Sequence, residues 1–181
     1  MQDGATKEFV QAYNAQAAVD GHAQVIVGAA VTQEANDKKQ LVPMLNQVKA
    51  QMGRPPRQAT ADNGYFSEPN VTDAQRQEID LFVAPDGQKH SEKPPVANRP
   101  PPPDASVAEQ MRHKLRTAEG QAVYKLRKAV VEPVFGQIKE ARGFRRFLLR
   151  GLRKVQAEWQ MICATHNLLK LFRSGWNPQC A

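Results

Sequence analysis

A chain of 181 residues with 41% hydrophobic side chains suits one domain, or one domain with an appendage, and can bury a core without crosslinks. Its two cysteines, Cys163 and Cys180, are too few for a disulfide framework and lack metal-ligand spacing. No apolar run reaches the ~18 residues of a membrane span and no basic-then-apolar leader pattern is present, so membrane and secreted classes are set aside for a cytoplasmic protein.

Charge divides the chain. Residues 1–106 carry 10 Lys/Arg against 13 Asp/Glu, whereas residues 107–181 carry 15 against 5. The overall +7 therefore hides a strongly basic second half, suited to a polyanion and most often to nucleic acid.

In chain order, Phe9 to Val19 alternates, with Phe9, Tyr13, Ala15, Ala17 and Val19 on one side and Asn14, Gln16 and Asp20 on the other. This predicts a strand. Asp20-Gly21-His22 marks a turn, and the apolar run Val25 to Val31 completes a hairpin with a buried second strand. Asn36 or Asp37 is placed to cap a helix carrying Leu41, Leu45, Val48 and Met52, with Pro43 delaying or kinking its start. Gln58 to Asp62 is a short extended stretch before the turn pair Asn63-Gly64. Thr72 to Gln77 reads as a short helix and Ile79 to Ala84 as a buried strand. Residues 1–84 are thus the first part of an α/β core.

Residues 85–106 change character: seven of the 21 residues from Pro85 to Ala105 are proline, which makes a linker or insertion. Residues 107–181 are helical. Ser106 and Glu109 form a capping-box pattern, a second helix starts after Gly120 and is broken or kinked at Pro133, and a last helix from about Val155 to Phe172 buries Val155, Trp159, Ile162, His166 and Leu169.

The candidate chemistry centres on Tyr124 to Lys154. Helical spacing puts Tyr124, Lys128, Glu132, Phe135 and Lys139 along one side, beside an apolar stripe of Leu126, Val130, Val134 and Ile138. Asp62, at a strand end before a turn, is the natural partner for Glu132, because two or three carboxylates and a phosphate suffice for hard divalent cations. The same residues also fit a plainer reading, with Asp62 capping its turn and Glu132 paired with Lys128.

AYNAQAAVDGHAQVIVGAAVTQEANDKKQLVPML, ATADNGYFS and YKLRKAVVEPVFGQIKEARGFRRFLLRG, in that order, resemble the core of a DDE-type transposase of a bacterial insertion sequence. The resemblance implies an RNase H-like fold and catalytic, metal-holding carboxylates at Asp62 and Glu132. It also implies two Mg2+ ions that activate water for attack on the phosphodiester at a transposon end, after which the freed 3′-hydroxyl attacks target DNA. The family's Tyr–Arg–Glu–Lys signature falls on Tyr124, Glu132 and Lys139. Its basic residue falls on Arg127, five before the glutamate, or on Lys128, at the preferred four. The implied partner is double-stranded DNA, at transposon ends and target, with self-association on DNA and residence at the nucleoid.

The family's first Asp lies on a strand upstream of the hairpin, where this sequence offers only Asp3 in a polar stretch; Asp20, at the hairpin turn, is the alternative. The expectation is a partial RNase H-like core lacking its first strand and the N-terminal DNA-binding region, marginal in stability and inactive alone. Two other readings stay open: a catalytically dead DNA-binding remnant and a metal-dependent nuclease unrelated to transposition.

Lys139, Arg142, Arg146, Arg150 and Arg153 recur at helical spacing and Arg145 joins them, so Lys139 to Lys154 reads as a basic helix face contacting phosphates. Trp159 and Phe147 could stack on bases, although their spacing fits core packing better. His22, His90 and His113 suggest no site.

Overall fold

The computed structural model describes residues 12–87, 96–97 and 100–175. Phe9, Asp3, His90 and Cys180 lie outside the described residues. Strands β1 (Asn14–Val19), β2 (Ile26–Thr32), β3 (Gln58–Ala61) and β4 (Asp80–Val83) combine with helices α1 (Leu41–Met52), α2 (Glu68–Arg76), α3 (Val107–Arg116), α4 (Ala118–Gly136) and α5 (Leu152–Arg173) in a mixed α/β arrangement. The chain forms two compact units, one from Met1–Ala35 with Val130–Ala181 and the other from Asn36–Ala129.

In the first unit β1 and β2 form an antiparallel hairpin, Asn14 opposite Thr32, with an irregularity at Ala18/Val19. The Asp20 carboxylate accepts from the backbone N–H of His22 at 3.1 Å and Ala23 at 2.7 Å, the local bonding that makes Asp a turn residue. The apolar face of the hairpin packs with Val134, Ile138, Val155, Trp159, Ile162 and Cys163. Gln16, expected on the open face, is buried instead (3% exposed), and its backbone carbonyl accepts from the indole Nε1 of Trp159 at 2.9 Å.

Helix α5 also closes the outer edge of β2 with side-chain amides. Asn167 takes both polar groups of Ile26: its Oδ1 accepts from the Ile26 N–H, and its Nδ2 donates to the Ile26 carbonyl, each at 2.8 Å. Gln156 accepts from the Val31 N–H at 2.6 Å and donates to the Ala29 carbonyl at 3.2 Å. A helix thereby supplies the hydrogen bonds that a neighbouring strand would make.

In the second unit β3 and β4 are parallel, Gln58 opposite Asp80 and Ala61 opposite Val83. Leu41 and Leu45 of α1, Val71 and Ala74 of α2, residues 81–84, and Met111 and Leu115 of α3 form its core. α1 begins on Gln40 rather than on an Asn36 or Asp37 cap, and Met52, read as apolar-facing, is 55% exposed. α2 begins at Glu68, earlier than expected, because the Ser67 hydroxyl accepts from the Asn70 N–H and Pro69 suits the first turn. The Ser106–Glu109 capping box forms as its pattern predicts.

Four expectations fail in the helical part. α4 starts before Gly120, and Gly120 lies against α3, where a Cβ would come 2.0 Å from the Lys114 carbonyl oxygen. α4 also runs through Pro133 and passes into a π turn at Gln137–Ala141. Proline in a helix costs about 3 kcal/mol, but burial of Val134 and Ile138, both 1% exposed, returns about 1.5–3 kcal/mol each and outweighs it. Leu126, assigned to the same apolar stripe, is 60% exposed. Last, residues 142–151 form a loop rather than a helix carrying one basic face. Gly143 and Gly151 hold φ of +73° and +87°, a backbone region that ends regular helix.

Candidate functional site

Asp62 leaves the end of β3 in extended conformation, and its Oδ1 accepts from the Gly64 N–H at 2.9 Å. That is the turn-capping role, and it leaves Oδ2 free to face a cation. Arg127 of α4 supplies one, with a guanidinium nitrogen 4.0 Å from Asp62 Oδ2. At that separation, with both side chains partly exposed, the pair is loose. The guanidinium also lies 5.1 Å over the Tyr124 ring. Burial pushes the Tyr124 phenol pKa up, against the lowering effect of Arg127 and of the Ala84 backbone. Arg127 Nε is buried without a hydrogen-bond partner among the described residues.

The two candidates for the basic position sit in different surroundings. Arg127 lies beside Asp62 and Tyr124, while Lys128 is exposed on another side of α4. Asp37, read as a helix cap, instead brings its carboxylate to the same turn: a Cβ on Gly64 would lie 3.1 Å from Asp62 Oδ1 and 3.4 Å from Asp37 Oδ2. Nothing local in the sequence marks that approach, since it joins segments 25 positions apart.

Glu132 and Lys139 belong to the other unit and are exposed; the Lys139 ammonium lies 5.4 Å over the Phe135 ring. Beyond them the basic residues separate into two kinds. The Arg142 guanidinium is used within its unit, donating to the Ile162 carbonyl at 3.2 Å and to the Thr165 hydroxyl, and stacking 4.9 Å over Phe144. Arg145 pairs with Glu140. Arg146, Arg150, Arg153 and Lys154 are exposed and make no ion pair among the described residues. Trp159 and Phe147 pack with Tyr13 and Phe135 in an aromatic cluster, so they serve the core.

The loop carrying the free arginines is fixed from below by a residue that sequence reading passed over. Glu158 of α5 is buried, and its two oxygens accept from the backbone N–H groups of Leu148 at 2.8 Å and Leu149 at 2.9 Å. The Gly151 N–H donates to the Tyr13 hydroxyl at 2.9 Å.

Residues 99–172 match the family model of the transposase DDE domain, so that stretch is similar to the DDE domain of transposases. The match takes in Tyr124, Arg127, Glu132 and the basic loop and stops short of Asp62. No curated protein and no solved structure matches the chain.

Metal fit is poor in what these residues offer alone. Among the described residues no group of three or more His, Cys, Asp and Glu is placed to hold a metal ion. Asp62 has one oxygen accepting from a backbone N–H and the other facing a guanidinium 4.0 Å away. No described helix is long and apolar enough to cross a membrane.

Proposed function

We propose that this chain acts on DNA as part of a DDE-type transposase, with an RNase H-like core, Asp62 and Glu132 as two of its catalytic carboxylates, and double-stranded DNA as substrate. The family match over residues 99–172 carries the reading. The juxtaposition of Asp62, Tyr124 and Arg127 supports it, as does the order of an antiparallel hairpin, a helix and a parallel strand pair.

On this reading Arg127 grips a phosphate of the bound strand. Its loosely engaged terminal nitrogens are of the kind that suits phosphate oxygens, and Tyr124 supports the guanidinium plane from beneath. Neutralising the guanidinium with phosphate also releases Asp62 Oδ2 from its partner. Arg146, Arg150, Arg153 and Lys154 add salt-dependent phosphate contacts that position DNA without reading its sequence. Two Mg2+ ions would need more oxygen ligands than Asp62 and Glu132 provide, so cleavage is proposed to require further carboxylates, and the DNA-binding step to stand without them.

A duplex bearing the element's own ends tests this with Mg2+ present. Nicking or strand transfer lost in Asp62→Ala and Glu132→Gln supports the enzyme. Salt-sensitive binding with no cleavage, indifferent to both substitutions, selects the DNA-binding remnant. Cutting of any duplex without end preference selects a general nuclease.

A further inference from the structure

The loop at residues 142–151 carries a feature that phosphate binding does not use. Leu148 is 75% exposed at its tip, with Leu149 also exposed, between arginines at positions 146 and 150. An apolar side chain pushed into water amid unpaired cations is unfavourable in the free protein, and a floppy loop would fold it away. Here the backbone prevents that. Glu158 holds the N–H groups of Leu148 and Leu149, Tyr13 holds that of Gly151, and the Phe147 ring is set edge-on to Tyr13 and Trp159 at 6.3 and 6.2 Å. Phe147 thus points into the core while Leu148, the next residue, projects outward. The arrangement is a rigid apolar point with a cationic collar, presented in advance.

The chemistry that fits such a point is a polyanion with an apolar interior reachable between its charges. Duplex DNA has that form: stacked bases between two rails of phosphate. Side chains such as leucine enter base steps from positively charged surfaces and unstack them, with the flanking cations held on the phosphates. We propose that Leu148 is a wedge that enters a base step of duplex DNA while Arg146 and Arg150 hold the adjoining phosphates. The inference rests on DNA being the substrate and adds a deformation of it. Glu158 is the positioning residue, since it fixes the backbone from which Leu148 projects.

The test needs no knowledge of the recognised sequence, because a mismatched pair is already partly unstacked and lowers the cost of insertion. Binding of the full chain is measured on two duplexes that differ only by a central mismatch, across a salt series. The wild type should favour the mismatched duplex by about tenfold. Leu148→Ala, a change at an exposed side chain, should remove that preference and leave the salt slope unchanged. Arg150→Gln should weaken both duplexes alike, reduce the slope by about one and keep the preference.

A wild type with no mismatch preference, or a Leu148→Ala variant that retains it, overturns the wedge and leaves DNA binding standing. Failure of the wild type to bind either duplex overturns the DNA reading along with it. Leu148-dependent self-association without DNA, or binding to anionic vesicles in its place, also overturns it, by giving the tip another occupant.

Discussion

Gly120→Ala separates two opposed effects on α4. Replacing glycine by alanine inside a helix ordinarily stabilises it by about 1 kcal/mol. At position 120, however, the new Cβ would lie 2.0 Å from the Lys114 carbonyl oxygen, 2.9 Å from its carbon and 3.0 Å from Leu115 Cα, all backbone atoms. A carbon and an oxygen settle at roughly 3.3 Å, so α3 and α4 must separate locally by more than an ångström. The Lys114 carbonyl cannot yield freely: it accepts from the Thr117 N–H at 3.2 Å and the Thr117 hydroxyl at 2.7 Å, and Thr117 Oγ1 in turn accepts from the Gly120 N–H at 3.0 Å. Overpacking of this kind costs typically about 1–3 kcal/mol and more against rigid backbone, which exceeds the propensity gain.

The expected net loss is about 2 kcal/mol, or a Tm lower by roughly 4–8 °C for a chain of this size. Gly136→Ala, in the same helix with nothing within 4 Å of the added Cβ, is the control and should be neutral or raise Tm. Thermal unfolding followed by far-ultraviolet circular dichroism gives both. A Gly120→Ala protein as stable as the Gly136→Ala protein would refute the argument.

Three further outcomes are expected. Arg127→Gln should weaken DNA binding by about tenfold, as loss of a forked phosphate contact does, whereas Lys128→Gln should change it by less than about threefold; equal effects would return the basic position to ambiguity. Burial holds the His166 imidazole below its ordinary pKa, with Nε2 3.1 Å from the Gln24 carbonyl and Nδ1 unpartnered among the described residues. The unfolded chain therefore takes up a proton before the folded one, so this contribution is intact above pH 6.5 and is lost as pH falls toward the folded value. Tm measured from pH 7.5 down to pH 5 should drop more steeply in the wild type than in His166→Gln. Burial pushes the Cys163 thiol up to about 12, so a maleimide should label it only after denaturant unfolds α5; rapid labelling of folded Cys180→Ser protein would contradict this.

What could be read from sequence was local. The capping box at Ser106 and Glu109 needs only neighbours three apart, and the buried stripe Val155, Trp159, Ile162 and His166 follows from helical period, although Leu169, expected with them, is only half-buried. The basic segment misled because charge recurs there at helical spacing without driving folding. Two glycines at positive φ, the inward pull on Phe147 and the grip of Glu158 decide its path, and none of these shows as periodicity. Gly120 was read as a boundary, whereas its value is the close approach of α3 and α4, which no single segment encodes. In the candidate site, Asp62, Tyr124 and Arg127 were legible individually, from a strand end and a signature. The neighbouring Asp37 was not, because only tertiary folding brings it to Gly64.

The amide plugs on β2 have a consequence for how this protein fails. Asn167 and Gln156 are uncharged, so neither acid nor salt removes them, and both ride on α5, which also covers the apolar side of the hairpin. One event, the lifting of α5, therefore opens the edge of β2 and removes much of the cover on its face, which turns a closed strand into a sticky template for other chains. Loss of solubility on heating should then follow the lifting of α5, with β2 as the strand exposed to other chains.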